Sequence, residues 1–120
     1  MYDHIGLKVK DLKASARFYK AVLEPLGYVP DSSGTGFGPD NAPALWLYQA
    51  EETHVAGAHI ALRAKNRAAV DRFHQVGLEA GARDHGHPGL RSDYGPAYYA
   101  AFILAPDGNN VEAVCLAEER

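Results

Sequence analysis

The sequence predicts an α+β fold in which one unit, a strand followed by a helix and then by shorter strands, is used twice. Three observations support this prediction. The sequence matches itself at an offset of 55 residues, each copy opens with apolar residues at every second position, and each opening is followed by apolar residues at helical spacing. A chain of 120 residues is long enough for one compact domain but short for two.

The internal repeat is clearest at its start, where the segment 4–7, His-Ile-Gly-Leu, is matched by the segment 59–62, His-Ile-Ala-Leu. Between residues 4 and 24 nine positions are identical to those 55 residues later, whereas chance gives about one or two. In the first copy these are His4, Ile5, Leu7, Lys10, Ala14, Arg17, Phe18, Leu23 and Glu24. Two copies are too few for a solenoid, so we interpret them as one supersecondary unit used twice.

The first unit begins with a strand whose apolar face carries Ile5, Leu7 and Val9. Asp11 is suited to be the N-cap of the helix that follows. The helical stripe comprises Leu12, Ala16, Tyr19, Leu23 and Leu26. Pro25 and Gly27 mark the end of the helix, and we expect shorter strands at residues 28–29 and 44–48, with a glycine-rich stretch at 32–39 between them.

The second unit repeats this order, with a strand beginning at His59 and Asn66 as the candidate N-cap. Its helical stripe comprises Ala69, Phe73, Val76 and Ala80. Residues 85–88 have the composition of a loop, and residues 98–104 and 111–116 that of strands. The segment 105–110, Ala-Pro-Asp-Gly-Asn-Asn, predicts a hairpin turn between those two strands. We expect residues 51–57 to connect the units.

Strand alternation predicts the directions in which the polar side chains point. If the apolar face of the first strand packs on a helix, His4 lies on the opposite face of the sheet, and the same parity applies to His59. In the last strand, Glu112 joins that face if Val111 and Ala113 pack on a helix. Each of the three is an ordinary strand residue when taken alone. Their equivalence under the repeat favours a two-histidine, one-carboxylate metal site with open coordination positions.

Composition narrows the class of partner. A formal net charge of −3 without a run of Lys or Arg argues against a nucleic acid or an anionic membrane. The single cysteine, Cys115, excludes an internal disulfide and fits a reducing compartment. No signal pattern precedes Tyr2, and no apolar run approaches membrane-spanning length. We therefore expect a cytoplasmic protein.

The opening Asp3-His4-Ile5-Gly6-Leu7, together with the run from Ala105 to Glu112, resembles the glyoxalase/bleomycin resistance/extradiol dioxygenase superfamily, also called vicinal oxygen chelate proteins. The resemblance covers essentially the whole chain. It implies a single domain of two βαβββ modules, about residues 1–52 and 56–120, whose mixed sheets form a curved cup with the helices on the outer face.

The resemblance also implies a cofactor and a mode of substrate binding. One divalent metal ion (Fe, Mn, Zn, Ni or Co) is expected on His4, His59 and Glu112, with a small substrate bound to it through adjacent oxygens. A homodimer is expected, and the ligands come either from one chain or from both subunits. Lyase, isomerase and ring-cleaving activities all remain open, because this fold supports each of them.

Two features of the sequence bear on the reaction. Glyoxalase-type lyases add a fourth ligand on the last strand of the first module, but residues 44–49 have none at their centre, and Glu51 and Glu52 come too late unless the strand runs long. The sequence therefore favours a metal site with three protein ligands, which argues against a lactoylglutathione lyase. The alternative function is a non-catalytic protein that binds a drug or an aromatic ligand, against which the intact ligand set argues.

Other side chains are weaker candidates. The segment 85–98 is interpreted as the mouth of the cup, where Arg91 can pair a substrate carboxylate or phosphate and Tyr94 or Tyr98 can donate a proton or position an oxygen. His74 is interpreted as a residue of the helix surface and His54 as a solvent-facing residue of the connector. His85 and His87 have a spacing that could bind a metal in a strand, but the Gly/Pro composition around them favours ordinary loop residues. Trp46 either lines the pocket or fills the core, and packing in the core is the favoured interpretation.

Overall fold

The fold consists of two modules with the same order of elements, and the computed structural model describes them at residues 2–40, 42–51 and 57–117. The first module contains β1 (Ile5–Val9), α1 (Leu12–Leu23), a 3₁₀ turn (Glu24–Leu26), β2 (Val29–Pro30), β3 (Gly36–Gly38) and β4 (Leu45–Gln49). The second contains β5 (His59–Arg63), α2 (Arg67–Glu79), β6 (Arg83–Leu90), β7 (Tyr99–Leu104) and β8 (Asn110–Cys115).

Each module forms its own four-stranded mixed sheet. The strand orders are β1-β4-β3-β2 and β5-β8-β7-β6, so the two sheets have the same topology. In both, the first and last strands of the module pair in parallel and the other pairs are antiparallel. Neither sheet closes on itself. The predicted α+β fold of two βαβββ modules is therefore confirmed.

Local sequence signals place the two helices as expected. The Asp11 carboxylate accepts a hydrogen bond from the Ala14 amide at the start of α1, and the Asn66 side chain does the same for Ala69 at the start of α2. Both predicted N-caps are therefore present. Gly27 ends the 3₁₀ turn in the left-handed conformation, with φ 86°, which a glycine adopts without steric cost.

The core lies between the helices and one face of each sheet. Leu7, Val9, Val111 and Ala113 are all buried on this face, as the alternation predicts. Ile5 has the same parity but is 40% exposed, because it is the first residue of β1. The other face of each sheet carries the polar candidates.

A buried hydrogen bond ties the two modules together. Tyr19 of α1 donates its hydroxyl proton to Oδ2 of Asp107, at 3.1 Å, and both residues are buried. Burial, followed by the negative charge of Asp107, raises the pKa of Tyr19. Asn109 of the same turn also contacts the start of the second module: its side-chain oxygen accepts a hydrogen bond from the Ala58 amide, just before β5. The predicted hairpin turn is present, and the side-chain oxygens of Asp107 and Asn109 accept hydrogen bonds.

The second module departs from the sequence expectation in two places. Residues 85–88 belong to the strand β6 and not to a loop; two register shifts against β7 accommodate the glycines and the proline. His74 is 6% exposed, so its interpretation as a surface histidine is wrong: α2 packs on β6 and β7 on the side that carries it.

Two further points concern the rest of the chain. His54 and most of the expected connector lie outside the described residues. Within the described ranges, no helix combines the length and the apolar character needed to cross a membrane.

Candidate metal and substrate site

The site is built on two neighbouring strands of the second sheet. β5 and β8 run parallel, with His59 opposite Asn110 and Ala61 opposite Glu112. Alternation places His59 and Glu112 on the face away from α2. Their side chains meet there, with His59 Nε2 and Glu112 Oε1 2.9 Å apart.

Glu112 is a carboxylate that the fold buries almost completely, since only 2% of the residue is exposed. Its second oxygen, Oε2, accepts a short hydrogen bond from the hydroxyl of Tyr98. Burial, and then the hydrogen bond to Glu112 and its charge, raise the pKa of Tyr98 to about 12. Tyr98 is thus a neutral hydrogen-bond donor at physiological pH, and both carboxylate oxygens have a partner.

Arg91, Phe102 and Tyr94 surround this group. The Arg91 guanidinium lies over the Phe102 ring, 5.4 Å from its centre, and the Phe102 ring is 6.1 Å from that of His59. Arg91 donates hydrogen bonds to the backbone carbonyls of Gly89 and His87, which fix the group without neutralising its charge. Tyr94 is 67% exposed and meets the Tyr98 ring edge-on at 5.2 Å.

His4 lies on the other module, one residue before β1. It is exposed, and its Nδ1 contacts the Asp3 carboxylate at 2.7 Å. Among the described residues of one chain, His4 does not form a cluster with His59 and Glu112 in which the ligand atoms are within 4.8 Å of one another. One chain therefore brings together His59, Glu112 and Tyr98.

The register of the first sheet identifies the counterpart of Glu112. Glu112 is opposite Ala61, two residues after His59; the residue opposite Gly6, two residues after His4, is Trp46. The Trp46 ring lies against Gly36, so closely that a β-carbon there would be 2.5 Å from it. Trp46 is outside the buried core, which contradicts its interpretation as a core residue.

The rest of β4 offers no ligand in that place. The Gln49 side chain is held at the end of the strand, where its Oε1 accepts from the Leu12 amide and its Nε2 donates to the Lys10 carbonyl. An indole thus occupies the position in the first module that a carboxylate occupies in the second.

The donor set of His59 and Glu112 fits a divalent metal ion. An imidazole nitrogen and a carboxylate oxygen are the ligand types that Fe, Mn, Zn, Ni and Co accept. Among the described residues, the carboxylate of Glu112 contacts His59, whose side chain is 53% exposed. A buried carboxylate next to an accessible imidazole nitrogen is suited to receive a cation.

Alternation in the sequence identified His59 and Glu112 but not the hydrogen bond from Tyr98 to Glu112. The signal was present, since Tyr98 has the parity of Phe102, which is opposite Glu112 in the sheet. Parity gives the face of a side chain and not its rotamer, so the sequence did not pair these two residues.

The sequence matches the family model of the Glyoxalase/Bleomycin resistance protein/Dioxygenase superfamily over residues 2–113. No curated protein matches it significantly. A solved structure described as a glyoxalase/bleomycin resistance protein from Albidiferax ferrireducens is 26% identical, with a TM-score of 0.80 over 96% of this chain and 98% of that chain.

Two more distant structures have the same fold. A glyoxalase/bleomycin resistance protein/dioxygenase family enzyme from Burkholderia phytofirmans is 18% identical, with a TM-score of 0.71 over 96% of this chain and 98% of that chain. A lactoylglutathione lyase from Agrobacterium tumefaciens is 23% identical, with a TM-score of 0.65 over 93% of this chain and 90% of that chain.

Proposed function

Because this chain belongs to the glyoxalase/bleomycin resistance protein/dioxygenase superfamily, we propose that it is a metal-dependent enzyme that binds a small organic substrate through adjacent oxygens. The observation that carries the proposal is the contact of 2.9 Å between His59 and the buried Glu112 on the open face of the second sheet. A bound divalent ion supplies Lewis acidity to the substrate oxygens.

The third ligand in this proposal is His4 of a second copy of the chain, in a homodimer. Two observations support it: His4 is exposed one residue before the first strand of a sheet equivalent to the one that carries His59, and among the described residues of one chain it does not form a ligand cluster with His59 and Glu112. Large side chains such as Tyr48 and Tyr94 are exposed by 51% and 67%. A partner or ligand bound beside these rings would bury apolar surface that is exposed in one chain.

The side chains around the ligands have distinct roles in the proposal. Tyr98 holds Oε2 of Glu112 and so leaves Oε1 to face the ion. With a pKa of about 12, it is a positioning residue and not a base. Arg91 keeps its positive charge beside Phe102 and attracts a carboxylate or phosphate of the substrate. Tyr94 is the more accessible proton donor.

The reaction class is narrowed by Trp46. Its place in the register is the one that a fourth ligand from the first module would need. A site with three protein ligands, suited to ring-cleaving or isomerising chemistry, is therefore favoured over the site of a lyase whose fourth ligand is a carboxylate.

A cytoplasmic location is part of the proposal and is supported by the buried free thiol of Cys115.

Elemental analysis of untagged protein tests the metal site. We expect His4→Ala, His59→Ala and Glu112→Gln each to lower the metal content by about one equivalent per chain relative to wild type. The matched control is His85→Ala, which removes an exposed histidine that is not among the proposed ligands. Equal metal content in wild type and in folded His59→Ala would overturn the proposal.

The second candidate is a binding protein without catalysis, favoured by the exposed rings of Tyr48 and Tyr94. It predicts that an aromatic ligand binds equally well to metal-free protein and to the His59→Ala variant. A ligand whose affinity depends on the metal supports the enzyme instead.

A further inference from the structure

A second group of metal-ligand types lies between α2 and β6. His74 Nε2 is 2.8 Å from Asp84 Oδ1, and His87 Nε2 is 3.3 Å from Asp84 Oδ2. The ligand atoms of all three residues are within 4.8 Å of one another. Among the described residues, they form the one such cluster of at least three His, Cys, Asp or Glu side chains.

A bulge in β6 brings Asp84 and His87 together. In a regular strand, residues three apart point to opposite faces. Here the pairing with β7 shifts between Asp84 and Gly86, and again between Gly86 and Gly89. Gly86 has φ 156°, a conformation that only glycine adopts readily. The bulge redirects His87 towards the carboxylate of Asp84.

The cluster is separated from His59 and Glu112 by the sheet itself. Asp84 is opposite Ile103, a core residue whose side chain contacts Gly77 of α2. Glu112 is opposite Phe102, on the other face. The two groups therefore use different sides of the same sheet and do not share ligands.

The three side chains differ in accessibility in a way that suits an ion. His74 is buried, with 7% of its side chain exposed, whereas Asp84 is 37% and His87 79% exposed. Asp84 Oδ1 also accepts a hydrogen bond from the Gly86 amide, at 3.0 Å, which holds the carboxylate in the cluster. One ligand is anchored in the core, and the side facing solvent is open to an incoming ion.

We propose that His74, Asp84 and His87 form a second divalent-metal site, selective for a borderline ion such as Zn²⁺, which joins β6 to α2. Ligand atoms bound to one tetrahedral zinc lie about 3.3 Å apart. His87 Nε2 is already 3.3 Å from Asp84 Oδ2, whereas His74 Nε2 is 2.8 Å from the other oxygen, Oδ1, so that binding one ion requires a small rearrangement of these side chains. The fourth position is left to water. By linking a strand to a helix, the ion stabilises the fold through mass action.

Titration with Zn²⁺ alone, followed by calorimetry, tests this site. The starting protein is the untagged His59→Ala variant, in which the ligand set on the other face is broken. We expect it to bind about one equivalent of Zn²⁺ and to melt at a higher temperature in its presence. Adding His87→Ala or Asp84→Asn weakens binding by at least about tenfold. Adding His85→Ala, the neighbouring exposed histidine, leaves binding unchanged.

Two results would overturn the proposal: no Zn²⁺ binding in the His59→Ala background, or equal affinity after His87→Ala. The variants at position 87 keep their fold because that side chain is 79% exposed, and circular dichroism verifies this. Failure of the enzyme proposal is seen separately, as equal metal content in wild type and His59→Ala.

Discussion

Glu112 is the buried side chain on which the candidate metal site is built. Its carboxylate is paired with His59 on one oxygen and with Tyr98 on the other. Parity along β5 and β8 was enough to predict that His59 and Glu112 share a face. The hydrogen bond from Tyr98 to Glu112 could not be predicted from the sequence, because it depends on the rotamers of side chains that meet across the sheet.

Tyr98→Phe tests the positioning role of Tyr98. The change leaves Oε2 of the buried carboxylate without its donor, so we expect a loss of about 1–3 kcal/mol in the free energy of unfolding. Metal affinity falls about tenfold or more. Denaturant titration and calorimetry measure the two effects. Tyr94→Phe is the control, since that ring is 67% exposed, and an equal effect there would refute the role.

The raised pKa of Tyr98 gives a pH dependence of defined sign. The pKa is raised from 10.0 to about 12 in the folded chain, so the stabilisation is complete below about pH 10 and is lost as the pH rises towards about 12. Metal-free wild type should therefore lose more unfolding free energy between about pH 9 and pH 11 than Tyr98→Phe does. A constant difference between the two proteins over this range contradicts the assignment. Tyr19 is present in both proteins, so its contribution to the pH dependence of the unfolding free energy cancels in this comparison.

At the scale of elements, the helices were more predictable than β6. Asp11 and Asn66 predict the starts of the two helices from local sequence, because their side chains cap the first turn. β6 is Gly-, His- and Pro-containing, and such composition is typical of a loop. It is a strand because its backbone pairs with β7, a long-range interaction that local composition does not report, and because its bulges accommodate the unusual residues.

Gly86→Ala tests the bulge. A β-carbon at this φ of 156° would be strained and 2.8 Å from the Phe102 ring, so we expect a loss of about 1–3 kcal/mol in unfolding free energy. Zn²⁺ binding to His87 and Asp84 weakens with it. Gly89→Ala is the matched control, since its β-carbon would meet a flexible end of Arg91 at 3.3 Å. Equal destabilisation by both changes would show that the conformation of Gly86 is unimportant.

At the scale of the whole molecule, the duplication was visible in the sequence but the docking of the modules was not. The offset of 55 residues predicted two equivalent units. The contact between α1 and α2 and the Tyr19–Asp107 hydrogen bond join residues far apart in the chain, and no local pattern pairs them. The turn 105–110 thus has two roles: it leads into Glu112 and fastens one module to the other.

Tyr19→Phe tests this junction. Removing the hydroxyl leaves Oδ2 of the buried Asp107 without a donor, so unfolding free energy should fall by about 1–3 kcal/mol. Tyr28→Phe, a half-buried tyrosine of the same module, serves as the control and should change stability by less than about 0.5 kcal/mol. If the two variants are equally stable by denaturant titration, the hydrogen bond does not hold the modules together.

The central claim is that His59 and Glu112 of one chain and His4 of a second copy hold one metal ion. Co-expression of His4→Ala with His59→Ala, both carrying His87→Ala to remove the second site, measures it most directly. Each variant alone should bind no metal. With random pairing about half of the dimers are mixed, and each mixed dimer regains one intact site of its two. About a quarter of all sites should therefore bind metal. Metal retained by either variant alone, or no metal in the mixed dimers, would contradict the claim.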